Sequence, residues 1–243
     1  MRNRLILLPG WGLGTAALHP LAASLRAQDP RLQVDLLALP ELPDGDVQAW
    51  VDHLDRTLPQ DTWLGGWSLG GMLASELARK RGDRCCGLLT LASNPSFVSR
   101  ADWPHGMPAD TFSTFADGCR SHLQVTLKRF RSLCTQGAPD QLAVLKQLNV
   151  GLPSTDPLYL MSGLEVLGKL DTRDALVEYT GPQLHLFAGS DVLVPAEAAK
   201  ALCELVPDVE VGLVENTSHA FLLEYPQDLA AGIKNFLHES GDD

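Results

Sequence analysis

Six short apolar runs, at 5–8, 34–39, 62–65, 88–92, 184–188 and 209–214, alternate with stretches of helical spacing, and this alternation constrains the fold more than any other feature. Several of the runs are almost continuously hydrophobic. A strand with one wet face alternates apolar and polar residues; an unbroken apolar run belongs to a strand covered on both faces, as in a parallel sheet. The helical stretches at 18–27, 47–58, 69–81, 196–205 and 226–238 supply the covers. The pattern predicts an α/β fold, a mostly parallel sheet flanked by helices and joined by right-handed crossovers.

Between 110 and 170 the rhythm stops. Leu123, Leu127, Phe130 and Cys134 lie at i, i+4, i+7 and i+11, one stripe of a helix. The stretch 136–139 (Gln-Gly-Ala-Pro) breaks it, a second helix follows at 140–149, and Pro153 and Pro157 bracket a turn before a third at 158–167. The segment is long for a simple crossover. It is read as a helical lid, 110–170, inserted into a core of 1–109 and 171–243.

Gly66-Trp67-Ser68-Leu69-Gly70 is a G-x-S-x-G motif placed after an apolar strand and at the start of a helix. That context makes Ser68 a candidate nucleophile. The strained strand-to-helix turn exposes the hydroxyl, the glycines let the backbone bend and pack closely, and the helix N-terminus favours a developing oxyanion. Two backbone N–H groups would bind that oxyanion: Leu69, which follows the serine, and Trp11, in the Pro9-Gly10-Trp11-Gly12 loop after the first strand. The general base belongs late in the chain, after the last strand, where His219 sits in Asn216-Thr217-Ser218-His219. His185 lies within a strand and reads as core, and His238 lies at a fraying end. The orienting acid belongs after the preceding strand, which selects Asp191; Glu215 and Glu224 are rivals too close to His219 in sequence to fit that order.

With 30 acidic and 19 basic residues the net charge is −11, which argues against a nucleic-acid or anionic-membrane surface over the whole molecule. No apolar run approaches the ~20 residues that span a bilayer, and the start is too short in apolar residues for a signal-peptide core. Five irregularly spaced cysteines read as free thiols, hence a cytoplasmic protein. Cys119 and His122 lack companions at zinc spacing; neither a metal nor a cofactor is expected.

Together, the elbow, the Gly-Trp-Gly loop and the Asp191 and His219 loops resemble the α/β-hydrolase fold. More narrowly, the chain is similar to the pimeloyl-acyl-carrier-protein methyl ester esterases of biotin synthesis. The narrower likeness rests on Gly10-Trp11-Gly12-Leu13, on Gly66 to Gly71, on Ala92-Ser93-Asn94-Pro95-Ser96-Phe97 followed by Asp102-Trp103-Pro104, and on Lys128-Arg129-Phe130. The resemblance implies that Trp11, Ser68, Leu69, Phe130, Arg131, Ser132, Leu133, Cys134 and His219 line the substrate site. The chain departs from that pattern in starting directly at the first core strand, so a shorter sheet than is usual is expected. Pro9 stands where the superfamily usually has histidine, and Val125 and Leu142 replace part of a basic lid pattern.

The expected function is a serine carboxylesterase that cuts the methyl ester of an acyl chain on acyl carrier protein, in a monomeric enzyme. Residues 118–149 hold five basic residues (Arg120, Lys128, Arg129, Arg131, Lys146) against Asp140 alone. That asymmetry makes Lys128, Arg129 and Arg131 candidate contacts for the acidic carrier. The alternatives are a general short-chain carboxylesterase or thioesterase, and a hydrolase-fold binding protein without turnover.

Overall fold

The computed structural model describes residues 3–154 and 156–240; the outer ends of the two expected core ranges, at Met1 and Asp243, lie outside them. Six strands, β1 (Arg4–Leu8), β2 (Gln33–Leu36), β3 (Thr62–Trp67), β4 (Cys85–Leu91), β5 (Gln183–Ala188) and β6 (Glu210–Val214), form one sheet in the order β2-β1-β3-β4-β5-β6. Every neighbouring pair is parallel. The central strand β3 is buried along its whole length, whereas the edge strand β6 is half-buried to exposed.

Helices α1 (His19–Gln28), α2 (Val47–Thr57), α3 (Leu69–Arg81), α7 (Arg173–Glu178), α8 (Glu197–Leu205), the short α9 (Phe221–Glu224) and α10 (Pro226–Glu239) surround the sheet. The crossover through α1 runs outward from β1, and those through α2 and α3 run the opposite way. Right-handed connections therefore put α1 on one face and α2 and α3 on the other. Accordingly α1 packs on α10, and α3 packs against both α2 and α7.

The expected run at 34–39 leaves the sheet after Leu36. Leu37 still donates its N–H to the Leu7 carbonyl at 3.1 Å, and then the chain turns away. Leu37 and Leu39 remain packed on the core, which explains why the run stays apolar beyond the strand. In the opposite direction, β4 begins at Cys85, earlier than its apolar run suggests.

Between β4 and α7 the chain forms α4 (Ala109–Cys134), α5 (Gln141–Leu148) and α6 (Pro157–Lys169), with no strand among the described residues there. Asp140 and Asp156 cap α5 and α6 by accepting from the N–H of Ala143 and Leu158, and Pro157 occupies the first turn of α6, where its missing N–H costs nothing. The stripe Leu127, Phe130 and Cys134 is buried and Leu123 is half-buried. His122 interrupts α4 with non-helical dihedrals (φ −144°, ψ 57°). Arg120, on the far side of that break from Lys128, Arg129 and Arg131, pairs with Asp117 at 2.7 Å. Among the described residues no helix is long and apolar enough to cross a membrane.

Candidate active site

The chain reverses its direction of winding between β1 and β3. The crevice beyond the carboxyl ends of those strands is where ligands bind in open parallel sheets, because no crossover covers it. The Trp11 loop follows β1, Ser68 follows β3, Asp191 follows β5 and His219 follows β6, all at this edge.

Ser68 has φ 56° and ψ −122°, a left-handed conformation costly for a residue with a side chain. The turn persists because its surroundings leave no alternative. Ser68 donates its N–H to the Leu91 carbonyl at 2.8 Å, and its own carbonyl accepts from the N–H of Gly71 and Met72 and from Ser93 Oγ at 2.8 Å. A Cβ at Gly66 would lie 2.2 Å from the Gly70 carbonyl carbon, and one at Gly70 would lie 2.3 Å from the Leu8 carbonyl oxygen. Only glycine fits either position, which is the physical content of the motif.

His219 Nδ1 lies 2.6 Å from Asp191 Oδ2, and both side chains are fully buried. Asp191 Oδ1 accepts from the N–H groups of Leu193 (2.8 Å) and Val194 (3.0 Å), which fixes the carboxylate. An acceptor-only carboxylate on Nδ1 requires a proton there, leaving Nε2 as the basic nitrogen. Nε2 is buried and has no hydrogen-bond partner among the described residues. It is therefore not hydrogen-bonded to the Ser68 hydroxyl. The backbone of His219 is nevertheless bound to the elbow: Trp67 Nε1 donates to its carbonyl at 2.9 Å, with the two rings 5.6 Å apart.

The Trp11 loop also borders the serine. A Cβ at Gly10 would sit 3.4 Å from the Ser68 Cβ. Neither the Trp11 nor the Leu69 amide is used in a hydrogen bond among the described residues, so both remain available as donors. Trp11 Nε1 donates to the Leu160 carbonyl at 2.7 Å, and its ring packs edge-on against Phe115 and Phe130 at 5.5 and 5.2 Å. With Pro9 in place of a histidine, the loop is anchored through its tryptophan to α4 and α6.

Of the stretch Phe130–Cys134, Phe130 and Cys134 are buried and Arg131, Ser132 and Leu133 are half-buried. Cys134 is bound to the residue after the histidine: its carbonyl accepts from the Ala220 N–H at 3.0 Å. Burial pushes its thiol well up, and the nearby Asp191 carboxylate adds to the effect, so it stays protonated. Lys128 and Arg129 are exposed, whereas Arg131 turns partly inward and its Nε is buried without a partner among the described residues.

His185 is buried with Nδ1 2.7 Å from Thr90 Oγ1 and Nε2 3.2 Å from Gln183 Oε1, a core residue as its place in a strand suggests. His238 does not fray; its Nε2 lies 2.8 Å from Asp29 Oδ2. Glu224 binds Ser218 rather than the imidazole. Among the described residues no group of three or more His, Cys, Asp or Glu could hold a metal ion.

A cleft of about 540 Å³, its open mouth included, lies on the other side of the Trp11 loop. Its walls include Gly10, Trp11, Leu39, Pro40, Trp50 and Leu160. Ser68 is not among the lining residues, whereas Gly10, which borders it, is. Three elements of this site were not legible as such: Trp67, Ser93 and the cleft wall after β2. Trp67 was visible only as the variable position of its motif.

The fold, with its glycine-framed serine elbow at the switch point, defines an α/β hydrolase; the model described as the alpha/beta hydrolase family matches residues 5–232, and the chain belongs to that family. It is 35% identical over 246 residues to the pimeloyl-[acyl-carrier protein] methyl ester esterase of Aromatoleum aromaticum, covering 96% of this chain and 98% of that relative. It is 34% identical over 238 residues to the biotin biosynthesis bifunctional protein BioHC of Cellvibrio japonicus; the match covers 97% of this chain and 47% of the relative, so the chain spans about half of that bifunctional protein. By these likenesses it stands among the carboxylic ester hydrolases. A bromoperoxidase from Bacillus anthracis superposes with a TM-score of 0.80 at 18% identity, over 97% of this chain and 91% of the other, which shows the shared fold.

Proposed function

We propose that the chain hydrolyses the methyl ester of a pimeloyl chain carried on acyl carrier protein, through an acyl-enzyme on Ser68. The observation that carries the reaction type is the buried 2.6 Å contact between His219 and Asp191, with Nε2 left free beside the elbow. The names of the relatives supply the substrate.

In this reading Ser68 Oγ attacks the ester carbonyl carbon while His219 Nε2 takes its proton. The amides of Trp11 and Leu69 bind the oxyanion. The imidazolium returns the proton to the departing methoxide, which leaves as methanol. Water then attacks the acyl-enzyme, giving its proton to Nε2, and Oγ recovers that proton as the free carboxylate leaves. Asp191 holds the tautomer and stabilises the imidazolium. Ser68 and Nε2 meet as substrate binds, since catalytic hydrogen bonds tighten in the Michaelis complex.

Residues 110–170 act as the lid on a core of 1–109 and 171–243. Phe130, Arg131, Ser132, Leu133 and Cys134 form the lid's contribution to the site, and Lys128 and Arg129 face the carrier.

The test is Ser68→Ala, assayed on pimeloyl methyl ester bound to carrier protein and on a small free ester. Loss of about 10⁴- to 10⁶-fold in kcat on both is expected. Activity within tenfold of the parent would overturn the mechanism. Comparable kcat/KM on carrier-bound and free esters would favour a general esterase. A fluorophosphonate that fails to label the parent at Ser68 would favour a binding protein.

A further inference from the structure

Glu224 lies five residues beyond His219, on α9, and is close enough in sequence to rival Asp191 as the orienting acid. Its carboxylate points elsewhere. Oε1 accepts from the Ser218 N–H at 2.9 Å and from Ser218 Oγ–H at 2.5 Å. Ser218 Oγ in turn accepts from the Ala220 N–H at 3.2 Å. The residues on both sides of His219 are thus tied, directly or through one hydroxyl, to a single carboxylate oxygen.

The loop needs such a tie. Asn216 holds φ 56°, in the left-handed region, so the turn into the loop is strained and relaxes unless its surroundings hold it. Two other bonds fix the far side of the histidine, from Trp67 Nε1 to the His219 carbonyl and from the Ala220 N–H to the Cys134 carbonyl. On the near side, Thr217 Oγ1 reaches back to the Val214 carbonyl at 2.6 Å, and the Thr217 carbonyl accepts from the Ser190 N–H. The Ser218 N–H, one peptide unit before the histidine, is held by Glu224.

We propose that Glu224 is a positioning residue for the reaction: acting through Ser218, it fixes the backbone of His219 so that Nε2 faces Ser68. The inference rests on the Ser68–His219 reading above. It assigns no proton transfer to Glu224.

The test compares Glu224→Ala, Glu224→Gln and Ser218→Ala on a small free ester, with fold and stability followed by circular dichroism and thermal melting. A misplacement of about 1 Å in a catalytic group costs on the order of 10²-fold, so Glu224→Ala is expected to lower kcat by about 10- to 100-fold with KM little changed. The side-chain oxygen of glutamine can accept both Ser218 bonds, so Glu224→Gln restores kcat to within a few-fold of the parent. Ser218→Ala keeps the amide donor and loses the hydroxyl, and falls between them. The rate of fluorophosphonate labelling at Ser68, which uses the same base, follows kcat across the series. If Glu224→Ala does not fold, the other two variants decide. Wild-type kcat in Ser218→Ala together with a Glu224→Gln as impaired as Glu224→Ala overturns the inference, as does a melting-temperature loss without any fall in kcat for folded protein. An active Ser68→Ala would instead bring down the underlying mechanism, so the two failures are told apart.

Discussion

The indole of Trp67, immediately before Ser68, donates to the carbonyl of His219 at 2.9 Å, a bond across 152 residues that locks the end of β3 to the loop after β6. The neighbour of the proposed nucleophile and the backbone of the proposed base therefore share one rigid contact. Trp67→Phe keeps a ring against the imidazole and removes the N–H, leaving a buried carbonyl short of its donor. The expected cost is about 1–3 kcal/mol in unfolding free energy, read from the urea midpoint. A larger proportional loss in kcat than in KM is also expected, because the base is mispositioned. Unchanged stability and kcat would show that the bond positions nothing.

Two glycines give opposite expectations for the same substitution. At Gly70 a Cβ would meet the Leu8 carbonyl oxygen at 2.3 Å, and neither backbone can yield without opening the elbow. Gly70→Ala is expected to lose several kcal/mol, in the range that overpacking and backbone strain reach together. At Gly232, inside α10, a Cβ would meet nothing within 4 Å. Gly232→Ala is expected to stabilise by about 0.5–1 kcal/mol, since alanine restricts the unfolded chain and favours the helix. Thermal or urea unfolding of the pair checks both signs; a tolerated Gly70→Ala would contradict the steric account of the motif.

The contrast shows what the sequence can carry. Gly66 and Gly70 were legible because a steric demand made by the turn itself leaves a residue type behind. The order Ser68, Asp191, His219 was legible for a related reason: each follows a strand, and parallel strands deliver their ends to one edge. The end of β2 was not legible, because Leu37 and Leu39 are apolar through packing on the core rather than through pairing in the sheet. The break at His122 carries no proline or glycine of its own to announce it. The partners of Trp67 and Glu224 are set by tertiary contact, and a local pattern holds no record of which distant carbonyl or amide a side chain meets.

His185 gives the fold a pH dependence of known sign. Burial pushes its imidazole down to about 3, against about 6.5 in an unfolded chain. The tautomer is fixed: Gln183 Nε2 donates to the Leu176 and Tyr179 carbonyls, so Gln183 Oε1 accepts from His185 Nε2–H and Nδ1 accepts from Thr90. The folded state keeps the ring neutral while the unfolded state takes up a proton below ~6.5. The stabilisation is therefore fully present above that value and is lost as pH falls toward the folded value, at up to ~1.4 kcal/mol per pH unit. Urea unfolding of the parent and of His185→Gln between pH 7.5 and 5 is expected to show a shallower acid slope in the variant. Equal slopes would mean that His185 is protonated in the fold.

Under the proposed function, the exposed cations of α4 are expected to separate a carrier-bound reaction from simple ester hydrolysis. Lys128 and Arg129 are exposed and form no ion pair among the described residues, unlike Arg120, which is paired with Asp117, and Arg131, whose Nε is buried. The proposed carrier is acidic, as this chain is, so any attraction between them must be local. A patch of two free cations acts mainly on the rate of encounter, and salt screens it over about 10 Å at 0.1 M. Lys128→Glu/Arg129→Glu is expected to lower kcat/KM on a carrier-bound ester several-fold at low salt, with the difference shrinking as ionic strength rises. A small neutral ester has no charge for the patch to steer, and its kcat/KM in the double variant reports whether the lid itself has been damaged. A loss on the carrier-bound ester that salt does not diminish would place the effect in the bound complex rather than in the encounter. Parallel losses on both substrates would mean a deformed α4, and parent-like rates on both would remove Lys128 and Arg129 from carrier recognition.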